Sequence, residues 1–202
     1  MEPLAEAETE SPAGMAAKGL GPRVLAFVID GGAVVAADIL STLVSYPLTV
    51  VIVGTVLDAT GHSFTLAEGN PWPAAIGLAL TMPFFYFLLF EGMYGATPGK
   101  VLLDMRVVKA DGRPCGLKAA AVRGLLRYAD GLLFGFVLWM LMRKPPHLRL
   151  GDRAAGTLVV ADGRAEPGAP RSRRRLWVAA AAYFVMCCLV NGVVFAAALR
   201  VD

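Results

Sequence analysis

Apolar residues run almost without interruption from Val24 to Tyr46, from Ala74 to Phe90 and from Leu176 to Leu199. A helix rises about 1.5 Å per residue, so each run is close to what a hydrocarbon core of about 30 Å requires. Three membrane-spanning helices are predicted. Pro47 marks a break after the first run. The apolar stretch then continues to Leu57, too long for one straight crossing, so its remainder is expected to kink or to lie at the interface.

A fourth run, Arg123 to Met142, is ambiguous because both flanks are basic: Arg123 and Arg127 before it, Arg143, Lys144, Arg149 and Arg153 after it. A single crossing would put one cluster on the far side of the membrane. A re-entrant helical hairpin broken near Gly131 to Gly135 keeps both on one side, and the flanks favour it, although broken backbone in lipid must be buried in protein. The rival reading takes Gly131-x3-Gly135 as a packing motif on an intact fourth span.

Residues 92–120 change pattern. Val101 to Lys109 reads as strand, and Asp111-Gly112 is a hairpin turn signal. The string from Arg106 to Arg113 (RVVKADGR) resembles that from Leu158 to Arg164 (LVVADGR), which points to a degenerate internal repeat or a chance likeness. The expected fold is an all-α integral membrane protein. It has three transmembrane helices plus one re-entrant (or fourth spanning) segment, with small cytoplasmic β-hairpin elements. The expected divisions are a disordered acidic tail (1–22), a membrane domain (23–162), a basic linker (163–175) and an accessory transmembrane helix (176–202).

Composition agrees: of 202 residues 56% are hydrophobic and 17% charged, with mean hydropathy +0.60, too apolar for a soluble domain. The net charge of +3 matters less than its placement. Residues 47–73 hold no Lys or Arg, whereas the stretches 92–122 and 143–175 hold five and nine basic residues, which sets the N-terminus in the cytoplasm by the positive-inside rule. These basic clusters sit at span ends, so a nucleic-acid partner is not expected. Residues 1–22 lack the apolar core of a signal peptide. Cys115, Cys187 and Cys188 form no disulfide framework and read as small hydrophobes.

The charges inside the apolar runs carry the candidate chemistry. Arg23-x-Leu25-x4-Asp30-Gly31 recurs as Arg123-x-Leu125-x4-Asp130-Gly131. Seven residues fall about 20° short of two helical turns, so each Arg shares a face with its Asp, roughly 10 Å apart. Arg23, Asp30 and Asp38 span an arc of about 80°, and Arg123, Arg127 and Asp130 one of about 60°. A charge at the bilayer centre costs about 2.5–3.5 kcal/mol on the most lenient scale. The two faces are therefore expected to pack together, Arg and Asp satisfying one another across the contact. Such a network can be purely structural. Alternatively Asp30 or Asp38 faces a wet cavity and binds a proton or monovalent cation. Asp38 lies deeper and has no helical Arg partner, which makes it the better candidate. Asn191, in the last span, reads as a helix-to-helix hydrogen bond.

Gly95 to Lys100 (GATPGK) is no P-loop, since Tyr94 stands where the first Gly is required and Val101 follows the Lys. His62 and His147 lie in different loops, and no Cys/His cluster has metal spacing. No metal, no cofactor and no enzymatic activity are expected.

Three blocks together resemble the RDD family of integral membrane proteins, named for one Arg and two Asp. They are Gly21 to Asp30 (GPRVLAFVID), then GATPGK with Met105 to Val108 (MRVV) and Asp111 to Pro114 (DGRP), and Leu150 to Val160 (LGDRAAGTLVV). The resemblance spans roughly residues 20–162 and makes Arg23, Asp30 and Asp152 the eponymous residues. Thr97, Pro98, Gly99, Lys100, Gly151, Asp152, Gly156 and Thr157 form its cytoplasmic motif. It implies a small polytopic protein of a bacterial inner (plasma) membrane. Some bacterial members are described as sodium/proton antiporters, and a eukaryotic member resembles an accessory of a membrane quality-control complex. Asp152 reads either as a loop-ordering salt bridge or turn, or as a partner of Arg23 that gates access to Asp30. Two functions follow: a scaffold or accessory subunit with a membrane partner or a second copy of itself, or a monovalent cation/proton antiporter coupled through Asp30 or Asp38.

Overall fold

A computed structural model of the chain describes residues 20–62, 64–66, 72–132, 148–161 and 172–201. The fold is mostly helical, with helices α1 (Leu20–Thr60), α2 (Trp72–Leu89), α3 (Pro98–Leu102), α4 (Gly116–Leu132), α5 (Leu150–Ala155) and α6 (Arg173–Ala197). Strands β1 (Phe64–Leu66), β2 (Met105–Lys109), β3 (Thr157–Ala161) and β4 (Leu199–Val201) pair in twos. Three segments, Gly21–Thr60, Gly77–Tyr94 and Arg173–Ala197, are helical and long and apolar enough to cross a membrane. Their bare apolar surface points the same way: Val28, Leu43 and Val51 on α1 are 63%, 67% and 62% exposed, which suits lipid rather than water.

The first helix departs from expectation. It starts at Leu20, inside the segment assigned to the acidic tail, and passes Pro47 without a break. Proline removes one intrahelical hydrogen bond. In an apolar run, breaking the helix would strand several more backbone groups, so continuing is the lesser cost. At 41 residues α1 is about 60 Å long, twice the hydrocarbon thickness. The last helix, expected over Leu176 to Leu199, runs from Arg173 to Ala197, and after it β4 pairs antiparallel with β1 in the register Phe64↔Val201. That pairing gives the backbone partners outside the helix. Residues 133–147 and 162–171 lie outside the described residues. They include the break proposed for the re-entrant hairpin and most of the basic linker.

The chain divides into two compact units, residues 1–30 with 87–179, and 31–86 with 180–202. This cuts across the expected division at residue 162. In the first unit β2 and β3 form an antiparallel pair in the register Met105↔Ala161 through Lys109↔Thr157. The expected local hairpins are thus one sheet whose strands come from separate segments, and each of the two similar strings begins within one of its strands. The Asp111-Gly112 turn folds the chain back after β2 (Lys109 N to Arg113 O, 2.9 Å), but only the isolated bridge Val108↔Pro114 follows. The strand expected from Val101 onward begins only at Met105, because Val101 and Leu102 close the short helix α3. Met105, Val107 and Val159 of the sheet pack with Ala26, Cys115 and Ala120 in a common core.

In the second unit Asn191 joins α6 to α1, donating to Ser41 Oγ at 3.0 Å and Asp38 Oδ1 at 3.3 Å. Aromatic contacts, Tyr46 with Phe195 (4.7 Å) and Tyr86 with Tyr183 (5.3 Å), flank it. A Cβ on Gly192 would lie 3.3 Å from Thr49 Oγ1, so the helices approach closely there.

The sheet register is testable by cross-linking. With the native cysteines replaced, a Val108→Cys/Leu158→Cys pair is expected to oxidise readily, since residues directly opposite in an antiparallel ladder suit disulfide geometry. A Val108→Cys/Val160→Cys pair should remain reduced on non-reducing gels.

A buried charge cluster as the candidate functional site

The site is assembled at the end of the second apolar segment. After α2 the helix widens into a π turn, Phe90–Tyr94, closed by Gly95 at φ 86°. An inserted residue of this kind re-aims a side chain, and here it buries Glu91 completely (0% exposed). Three cations converge on that carboxylate. Lys100 Nζ and Arg127 Nη2 (3.2 Å) reach Oε1, and Arg123 Nε donates to Oε2 at 2.9 Å. The Arg127 guanidinium also lies over the Phe87 ring, 3.2 Å from its centroid.

Asp152 is the second anion. It is 2% exposed, accepts from Arg23 Nη1 at 2.8 Å on one oxygen and pairs with Arg123 Nη1 on the other. Arg123 Nη1 also donates to Thr157 Oγ1 at 2.7 Å, so Arg123 bridges both carboxylates. Asp152 is positioned by its place in the first turn of α5, where it also accepts from Arg149 N at 3.3 Å. Gly151 allows this approach: a Cβ there would lie 3.2 Å from the backbone of Arg123. Gly156, at φ 60°, ends α5 and hands the chain directly to Thr157 and β3.

Asp30 closes the remaining side. Its Oδ1 accepts from Gly99 N at 2.8 Å and its Oδ2 from Thr97 Oγ1 at 2.6 Å. GATPGK is therefore a helix start, with Thr97 as N-cap and Pro98 in the first turn. Asp30 supplies a carboxylate from another helix to its free N–H groups. Only glycine fits position 99, since a Cβ would collide with the Ala26 carbonyl oxygen.

Electrostatics follow from burial. Desolvation pushes the Lys100 ammonium down to about 8, outweighing the attraction of Glu91 and assisted by Arg123 and Arg127. Burial would raise Asp152, but the guanidiniums of Arg123, Arg23 and Arg149 hold it below the usual carboxylate range. Burial lifts the Cys115 thiol to about 11, so it stays neutral and packs as a small hydrophobe. Among the described residues no group of three or more His, Cys, Asp or Glu side chains could hold a metal ion.

The family model described as RDD family matches residues 17–156, more than half of the chain. The chain belongs to the RDD family. Searches of curated proteins and of solved structures returned no match. The RDD match covers all the residues of the cluster except Thr157 and leaves α6 outside it.

The RDD residues are thus placed as follows. Arg23 and Asp152 meet, while Asp30 is bound by Thr97 and Gly99. Arg123, Arg127 and Lys100 join through Glu91. The Arg and Asp of the two helices are expected to satisfy one another across a shared face; Arg127 of α4 does feel the attraction of Asp30 of α1, but Arg23 of α1 and Arg123 of α4 both turn to Asp152 on α5. Two like charges need an anion between them, and α5 provides one. Asp38 belongs to the other unit, half-buried beside Asn191. The Asp130 side chain lies outside the described residues. Glu91 is the functional residue that the sequence reading misses. Its signal is an acidic residue closing an apolar run nine positions before Lys100.

Neutralising Asp152 leaves two buried guanidiniums short of their anion. Asp152→Asn is expected to cost about 3–5 kcal/mol, read as a fall in the melting temperature of the purified protein in detergent. A charge swap, Arg23→Asp with Asp152→Arg, should fail to rescue, because the new arginine would face Arg123. Rescue would show that Arg23 and Asp152 act as an isolated pair.

The folded Lys100 loses its proton near pH 8, while the unfolded one holds it to about 10.5. Between these values the unfolded state binds the extra proton, so this group makes stability rise with pH. Lys100→Met is expected to remove that rise in denaturation profiles compared with wild type.

Proposed function

We propose that this RDD-family membrane protein is a non-transporting scaffold or accessory subunit of a membrane complex. It sits in a bacterial plasma membrane with its N-terminus in the cytoplasm, needs no cofactor and is not an enzyme. The observation that carries this reading is the saturation of the charge cluster. Glu91 is held by three cations, Asp152 by two arginines and Asp30 by a hydroxyl and a backbone N–H, all of these carboxylates at most 2% exposed. Carboxylates committed in this way fix helix register, their oxygens already taken by donors of the protein itself. A membrane partner or a second copy of the chain would dock on the bare apolar helices, and nucleic acid plays no part.

A second reading, monovalent cation/proton exchange, is favoured by one observation outside the cluster. Asp38 is only half-buried, and along its helix face Ser41 and the buried Ser45 follow, the Ser45 hydroxyl having no hydrogen-bond partner. A carboxylate with hydroxyls within a span is the normal equipment for coupling a proton to a cation. Asp38 is the better coupling group, since Asp30 is occupied.

Reconstitution decides between them. Liposomes carrying a trapped pH dye and wild-type protein are expected to show no proton flux on sodium or potassium pulses. Flux that disappears in Asp38→Asn would overturn the scaffold reading and establish exchange.

A further inference from the structure

Beside the π turn lies a cavity of about 50 Å³. Its walls include Glu91, Tyr94, Arg106, Cys115, Ser172 and Arg175. One water-sized group needs roughly 10–15 Å³, so the space takes three or four such groups, the size of a phosphate. Two arginines line it, Arg106 and Arg175. The one carboxylate in the wall, Glu91, is already matched by Lys100, Arg123 and Arg127. Two arginines thus stand against one carboxylate among the charged residues of the wall, which also includes Tyr94 and Ser172.

We propose that this cavity binds the phosphodiester of an anionic phospholipid headgroup. The shared chemistry, an oxyanion between two arginines, would also suit a free phosphate. The surroundings select the lipid. Trp177, two residues after Arg175, is 71% exposed, and the same helix continues with Val185, Leu189 and Val193 at 56%, 65% and 68% exposure. A bare Trp between arginines and an apolar helix marks the headgroup layer of the membrane. Arg173 and Arg174, also exposed at the start of α6, would draw anionic lipid towards it. The inference is independent of whether the protein transports an ion.

The test is a lipid titration of the purified full-length chain in neutral detergent, followed by native mass spectrometry. Phosphatidylglycerol is expected to bind saturably with one tight site, about tenfold tighter than phosphatidylcholine. Arg175→Gln, an exposed substitution that leaves the buried cluster intact, should weaken it about fivefold, and Arg106→Gln similarly. Arg174→Gln, which does not line the cavity, should change it less than about twofold. Equal binding of both lipids would overturn the proposal. So would equal losses from Arg174→Gln and Arg175→Gln, which would mean diffuse attraction. Displacement of the lipid by millimolar glycerol 3-phosphate would assign the site to a soluble phosphate instead.

Discussion

Two arginines brought together inside a protein repel unless an anion stands between them, and Asp152 is the anion that lets Arg23 and Arg123 share one place. Each belongs to a different helix, so the carboxylate ties α1, α4 and α5 in a single step. Much of the local sequence serves that step. Gly151 lets α5 lie against the backbone of Arg123, and Gly156 turns the chain so that Thr157 completes the Arg123 hydrogen bonds. Buried pairs of this kind add little net stability over an apolar core but severely penalise any arrangement that breaks them. Their contribution here is to specify one packing of apolar helices that could otherwise slide.

Glu91 extends the same logic to a second anion. Because Arg123 touches both carboxylates, the two halves of the cluster are coupled, and substitutions in them should not be additive. The widened turn that places Glu91 is directly followed by Gly95 and the Thr97-capped helix held by Asp30. A single short stretch thereby connects the start of the first apolar helix, the end of the second apolar segment and the basic helix α4.

The three spans are legible in the sequence because apolar run length reports directly on bilayer thickness. The RDD residues are legible as a motif, and one of the two readings of Asp152 pairs it with Arg23, but residue patterning alone does not choose that reading. Arg23 and Asp30 share a helix face by periodicity, yet the arginine's partner stands 129 residues away, a separation no local pattern encodes. Glu91 reads as a span boundary, which its position equally fits. Val101 to Leu103, an apolar triplet, suits either period, so a strand reading misplaces it. The likeness of the 106–113 and 158–164 strings is real. Both strings contribute a strand to one small sheet, where Val107 and Val159 share a core.

The length of the Arg23–Asp152 connection also bears on how the molecule is made. Chains emerge at about 5–20 residues per second, so Arg23 exists for roughly 6–26 s before its counter-ion has been synthesised. Through that interval the first helix carries an arginine with no final partner, and its docking must wait for the last part of the family domain. The order of birth makes α5, six residues long, the latch that closes a structure whose hinges were laid down first.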